Sequence, residues 1–232
     1  MRDSGLKENT ITASNPLQEI LKSEKRFEKL ERILEAGKEI ILEKGTKGFN
    51  LRTLGKKLNI PPGNIYRYVD NKRDLWIAIR FSLYDDFLVR FNKIIEEHEG
   101  SYLELFLKFS ELYLEFAGEN YNRFEMLFLL EAPKSEKVGK IEQVLDQYAL
   151  TRVIFKLLKQ AIDARELKES NALKTYYAII SLLTGAARNE VSIKKQMSIT
   201  EPLNVKSEIN SIQDFRKFIL KKVREIYENS SP

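Results

Sequence analysis

The chain has 232 residues, 43% hydrophobic and 31% charged, which suits a packed, well-solvated protein of one ordinary domain or of a small domain joined to a larger one. It has no cysteine and one histidine, His98, which excludes disulfides, thiolate nucleophiles, cysteine- or histidine-built metal sites and a conventional Ser/His/Asp triad. Its net charge of +5 is unevenly placed: residues 44–80 carry nine basic and two acidic side chains, a field suited to a phosphate backbone.

The N-terminus "MRDSGLKENTITASNPLQ" lacks the apolar core of a signal peptide. No apolar run approaches the roughly 20 residues of a membrane span. These features predict a soluble, cytoplasmic protein with no membrane partner and no cofactor. Residues 1–22 read as a partly mobile extension. From Asn15 and Pro16, a plausible cap and first position, apolar residues recur at three- and four-residue steps: Leu17, Ile20, Leu21, Phe27, Leu30, Ile33, Leu34, Ile40 and Ile41. Gly45 is expected to end this helix.

Two short segments follow, "LRTLGKKL" at 51–58 and "PGNIYRYV" at 62–69. They predict a helix-turn-helix. Asn50 is placed to cap the first helix, and Leu51, Leu54 and Leu58 give it one apolar side. Asn59 tolerates the left-handed turn, and Pro62 fits the first turn of the second helix. Ile65 and Val69 point inward, leaving Pro62, Gly63, Asn64, Tyr66, Arg67 and Tyr68 outside or at the margin. Asparagine suits adenine edges or phosphates. Tyrosine hydroxyls suit phosphate oxygens, and their rings suit thymine methyls. Asn71 and Lys72 open a long helix to about Glu97, where a basic residue and free N–H groups face the same backbone.

Helices are then predicted at 101–117, capped by Ser101, at about 121–131, ending before Pro133, and from Ser135 to about Ala164. The helix from 136 would carry Ile141, Leu145, Tyr148, Arg152 and Phe155 on one side. His98 reads as solvated near a helix end. Residues 171–196 are apolar nearly all round in "AIISLLTGAA". "SITEPLNVKSEINS" reads as a loop, and the last helix spans about 212–228. No strand, repeat or low-complexity tract is expected.

The stretch "ILEAGKEIILEKGTKGFNLRTLGKKLNIPPGNIYRYVDNKRDLW" resembles the N-terminal DNA-binding domain of the TetR family of transcriptional repressors, with Tyr66, Lys72 and Leu75 on the family's Tyr-x-x-aromatic and Lys-x-x-Leu positions. It departs at Asn59, where a turn glycine is usual, at Gly55, where alanine is common, at Val69, where phenylalanine is frequent, and at Pro61, which replaces a serine-like cap. The resemblance covers about residues 30–76. It implies an all-α fold: a three-helix helix-turn-helix domain at 23–76 and a larger helical ligand-binding and dimerisation domain at 77–232. It also implies DNA contacts by Arg52, Gly63, Asn64, Tyr66, Tyr68 and Lys72.

Residues 81–180 hold 16 of the 23 Phe and Tyr residues. Such crowding makes either a packed core or an apolar cavity, and the resemblance raises the cavity reading. The candidate lining is Tyr84, Phe87, Phe91, Phe106, Phe109, Tyr113, Phe128, Tyr148, Arg152, Phe155 and Tyr177. Arg152 would either serve an anionic ligand or form a salt bridge. The last two long helices resemble the family's dimer-forming pair, with Leu182, Gly185, Ala186, Phe215, Phe218 and Ile219 as candidate interface. The function expected is a homodimeric repressor, not an enzyme, released from a palindromic duplex operator by a small apolar ligand such as a fatty acid or acyl thioester. The alternative is a constitutive or DNA-organising binding protein without a ligand switch.

Overall fold

The computed structural model describes Leu17 and residues 24–168, 170–197 and 209–228. The expected cap at Asn15 and Pro16, the extension at 1–22 save Leu17, and most of the 198–211 loop lie outside the described residues. Among the described residues the protein is helical, and the sole β pairing is an isolated antiparallel bridge between Leu167 and Glu228. No described helix is long and apolar enough to cross a membrane.

The helices are α1 (Glu24–Gly48), α2 (Leu51–Leu58), a 3₁₀ helix (Pro62–Arg67), α3 (Lys72–Glu96), α4 (Tyr102–Glu119), α5 (Tyr121–Phe124) continued by a π turn (Glu125–Leu129), α6 (Ala149–Asp163), α7 (Ala172–Met197) and α8 (Ile212–Tyr227). They form two compact units. One holds the described residues through Val89 with 120–148; the other holds 90–119 and the described residues from Ala149 onward.

In the first unit, α1 buries Leu30, Ile33, Leu34, Ile40 and Ile41, and its helical geometry breaks at Gly45, where φ is 65°. It packs on α2 and α5. Asn120 caps α5 by accepting from the Arg123 N–H at 2.9 Å. Asn120 and Asn122 also donate to the Leu42 carbonyl.

In the second unit, α4 packs on α6, α7 and α8, and α7 on α6 and α8. Ser101 caps α4 as expected, and the Glu166 carboxylate accepts a further N–H of that first turn, from Leu103. Glu190 of α7 is buried and receives Arg216 of α8 in a two-pronged pair at 2.7 and 2.8 Å, with Lys194 at 2.7 Å. Burial raises the Glu190 pKa, but the bonds from Arg216 and Lys194 together outweigh it and hold the carboxyl below the usual glutamate range.

Three expectations change. The helix predicted from Ser135 begins only at Ala149, and 134–148 is a run of turns. Its supposed stripe is therefore broken: Ile141 and Leu145 are buried in the first unit, Tyr148 is 69% exposed, and Arg152 and Phe155 belong to the second unit. The cause is Asp74, whose fully buried carboxylate captures the N–H groups of Ile141 and Glu142 at 3.0 and 2.9 Å. Gly139 permits this approach, since a Cβ there would lie 2.2 Å from the Asp74 carboxyl carbon. The second element of the helix-turn-helix is a 3₁₀ helix ending at Arg67. His98 is buried, with its Nε2 2.9 Å from the Ser101 carbonyl oxygen.

Candidate nucleic-acid interface

The geometry of the reading unit starts at its caps. Asn50 accepts from the Thr53 N–H at 2.9 Å and opens α2. Asn59 closes it in the left-handed region, φ 55° and ψ 43°, with its N–H on the carbonyls of Gly55 and Lys56. Gly55 is required by the turn that follows: a Cβ there would meet the Ile60 carbonyl oxygen at 2.8 Å and the Pro62 ring at 3.2 Å. Loss of helix propensity at Gly55 thus accompanies the proline that starts the next element. Pro61 and Pro62 supply no N–H, and the 3₁₀ turns close through Asn64 N–H to the Pro61 carbonyl and Tyr68 N–H to the Ile65 carbonyl. Ile65 and Val69 are fully buried, as their spacing predicts.

The outer side carries Arg52, Lys56, Pro62, Gly63, Asn64, Tyr66, Arg67 and Lys72, all exposed, with Tyr68 partly covered. A Cβ at Gly63 would meet nothing within 4 Å, so no packing inside the protomer requires glycine there. Not all of the basic excess is available. Lys57 pairs with Glu39 at 2.5 Å, and that hydrogen bond raises its pKa. Arg73 pairs with Glu142 at 2.7 Å, and the same bond raises its pKa. Arg80 donates to the Leu130 carbonyl. Lys44, Lys47, Arg52, Lys56, Arg67 and Lys72 remain as exposed cations of that segment.

The start of α3 is strapped to 130–142. Asp74 also accepts the Asp70 N–H, and Asn71 caps by accepting the Asp74 N–H. Asp70 accepts the Lys140 N–H at 2.9 Å and pairs with its ammonium at 3.0 Å. Burial raises the Asp70 pKa, but the Lys140 bonds outweigh it and hold it low. Asn71 donates to the Lys137 carbonyl, and Arg73 reaches the carbonyls of Ala132 and Pro133. Sequence reading missed this strap. Its only trace is the acidic pair Asp70 and Asp74 flanking a basic segment.

Residues 33–79 match the family model described as bacterial regulatory proteins, tetR family. This segment of the chain is thus a DNA-binding domain of the TetR family type. It is 26% identical over 137 residues to the fatty acid metabolism regulator protein of Bacillus subtilis, covering 59% of this chain and 70% of that one. Its fold is similar to solved structures of reduced NemR from E. coli (17% identity, 88% and 99% of the two chains, TM-score 0.53), the fatty acid degradation regulator FadR from Bacillus halodurans (16%, 83% and 94%, 0.53), and a TetR-family transcriptional regulator from Haemophilus influenzae (17%, 89% and 100%, 0.53).

Beyond the TetR-type reading unit, the aromatic candidates fall into both compact units. Tyr84, Phe87 and Phe128 cluster in the first, with Phe87 and Phe128 centroids 5.2 Å apart. In the second, Phe91 stacks on Phe109 at 4.1 Å, Phe106 is buried, and Tyr113 hydrogen-bonds to the Thr184 hydroxyl at 2.9 Å. Phe155 contacts Tyr176 and, with Lys159, Ile162 and residues 170–173, lines an open groove of about 430 Å³. Tyr177 is 60% exposed, and Arg152 is exposed on α6. Among the interface candidates, Gly185 and Phe218 are exposed, Leu182 and Phe215 half-buried, and Ala186 and Ile219 buried within the protomer.

Proposed function

We propose that this protein is a homodimeric TetR-type repressor that leaves a palindromic operator when a small apolar ligand binds. The reading head spans 23–76. Arg52, Asn64 and Tyr66 meet base edges, while Lys72, Arg67 and Tyr68 hold phosphates, with Pro62 and Gly63 letting the duplex approach. The observation that carries this reading is the exposed, uncommitted polar face on a helix-turn-helix whose Leu54, Ile65 and Val69 are fully buried. The exposed apolar residues Leu173, Tyr177 and Phe218 on α7 and α8 support pairing with a second copy. The strap supports a switch, because 130–142 is hydrogen-bonded directly to the turn that leaves the reading head.

A fatty acid or acyl thioester is the proposed ligand class. The Bacillus subtilis relative, named as a regulator of fatty acid metabolism, supports it, as does the aromatic clustering around Phe87 and Phe128. Fragments of the source genome selected on the protein should share one near-palindrome. Fatty acids or their thioesters should lower affinity for it by about 1–3 kcal/mol of coupling. A bound ligand that leaves operator affinity unchanged removes the switch, and the absence of a shared palindrome removes the repressor reading.

A further inference from the structure

The first unit contains a guanidinium, that of Arg80, whose charge no carboxylate among the described residues answers. Arg80 lies two turns along α3 from Arg73, on the same side of the helix. Arg73 is neutralised by Glu142 at 2.7 Å. Arg80 instead gives one Nη2 bond to the Leu130 carbonyl, and its buried Nε–H has no partner. Burial is the main influence on its pKa, lowering it, and the like charge of Arg73 adds in the same direction. Nε and Nη2 form the side edge of a guanidinium, the edge that takes a carboxylate or phosphate with two parallel bonds. One half of that edge is spent on a neutral carbonyl and the other half is unspent. A partly buried charge whose Nε–H is shut off from water in this way is costly unless an anion completes it.

What lies beside it is apolar. Tyr84 and Phe87 follow on the next turns of α3, and Phe128 meets both rings at 5.8 and 5.2 Å, with Phe124 at 5.3 Å behind it. Phe128 sits in the π turn that ends immediately before Leu130, the carbonyl Arg80 holds. π turns are frequent at functional positions.

We propose that Arg80 is the anchor for the anionic head group, carboxylate or phosphate, of an amphiphilic ligand whose apolar chain lies against the Tyr84, Phe87 and Phe128 rings. This rests on the ligand-switched reading above and names its head-group site. It places the anion on Arg80 and not on Arg152. Because the head group competes with Leu130 for the same guanidinium edge, binding loosens the strap at 130–133, whose other end is bonded to the exit of the reading head.

The test is calorimetric titration of the full chain with decanoate, decyl phosphate and decanol. Wild type should bind at least one anion about tenfold to a hundredfold more tightly than decanol, the increment of a charge-assisted bond. Arg80→Gln should erase that preference while keeping the affinity for decanol, and Arg152→Gln should keep it. The tighter of decanoate and decyl phosphate identifies the head group. In the wild type, the Arg80 Nε–H resonance should move on adding the anion and not on adding decanol, a readout that needs no variant. Equal affinity for all three probes, a preference that survives in Arg80→Gln, an unmoved Nε–H signal, or no binding of any probe overturns the proposal. Failure of the switch reading looks different: the probes bind with the Arg80-dependent preference, yet operator affinity does not change.

Discussion

The helix-turn-helix and the α7–α8 pair both leave large side chains in solvent, but of opposite character. Around α2 and the 3₁₀ helix the exposed residues are Arg52, Lys56, Asn64, Tyr66, Arg67 and Lys72 over a core of Leu54, Ile65 and Val69 with no exposure at all. On α7 and α8 they include Leu173, Tyr177, Phe218 and Ile226, each more than half exposed. Polar groups in water cost nothing and are ready to exchange hydration for phosphates and base edges. Apolar groups in water lose the burial that would otherwise stabilise them. The first face is thus complete in a lone protomer, whereas the second gains stability from a covering surface. On the proposed reading, the first face takes a polyanion and the second a like apolar surface.

The largest effect should come from breaking what holds the apolar face together. Glu190→Ala leaves the partly buried Arg216 without its partner and should cost about 3 kcal/mol of stability in urea unfolding. The pH dependence has a fixed sign. Because the folded-state pKa of Glu190 is lowered, its contribution is complete above the ordinary glutamate pKa of about 4.3 and is lost as pH falls through the folded value. Wild type should therefore lose stability in acid more steeply than Glu190→Ala. A variant as stable as wild type, with an unchanged acid limb, removes the pair from the account.

Next in size is Gly185→Glu. Gly185 has open space around it in the protomer, so the substitution should leave the monomer folded. Dimerisation should weaken by more than about a hundredfold through the unpaired charge at the interface. Sedimentation at micromolar concentration reads this directly, and an undisturbed dimer would place the interface elsewhere.

On the polar face, Arg52→Ala or Asn64→Ala should cost about 1–3 kcal/mol, concentrated at particular base pairs of the operator. A loss spread evenly over unrelated duplexes would reassign them to phosphate. Smaller still is the effect of one exposed lysine on salt dependence. Lys56→Ala should weaken binding more than Lys57→Ala, because Lys57 is already engaged by Glu39. Parallel salt titrations of the two variants compare them, and a larger effect at Lys57 would contradict the division between free and committed cations.

The reading unit was legible because its signals are local. Asn50 accepts from an N–H three residues on, Asn59 takes the left-handed turn, and Ile65 and Val69 are buried at the four-residue step. What stayed illegible depends on groups far apart in sequence. Ile141, Leu145 and Tyr148 have helical spacing, yet Asp74, 67 residues earlier, takes the backbone N–H of Ile141 and the segment turns. His98 looks solvated at a helix end until the Ser101 carbonyl is seen against its ring. The tight 3₁₀ form of the second element follows from Pro61 and Pro62, whose effect on helix type, unlike their effect on helix start, no periodicity reveals. The site residues divide in the same way. Lys57, Arg73 and Arg80 count equally with Lys72 in a charge sum, and only their distant partners Glu39, Glu142 and Leu130 separate them from it.

The most direct test of the central claim is the salt dependence of binding to a genome-selected duplex, measured for wild type and Lys72→Ala. The account predicts that wild type prefers this duplex to random DNA by about a thousandfold or more. It also predicts that the logarithm of the binding constant falls steeply with the logarithm of salt concentration, and that Lys72→Ala binds more weakly with a slope flatter by about one. Equal affinity for all duplexes, or a Lys72→Ala protein with wild-type affinity and slope, would contradict it.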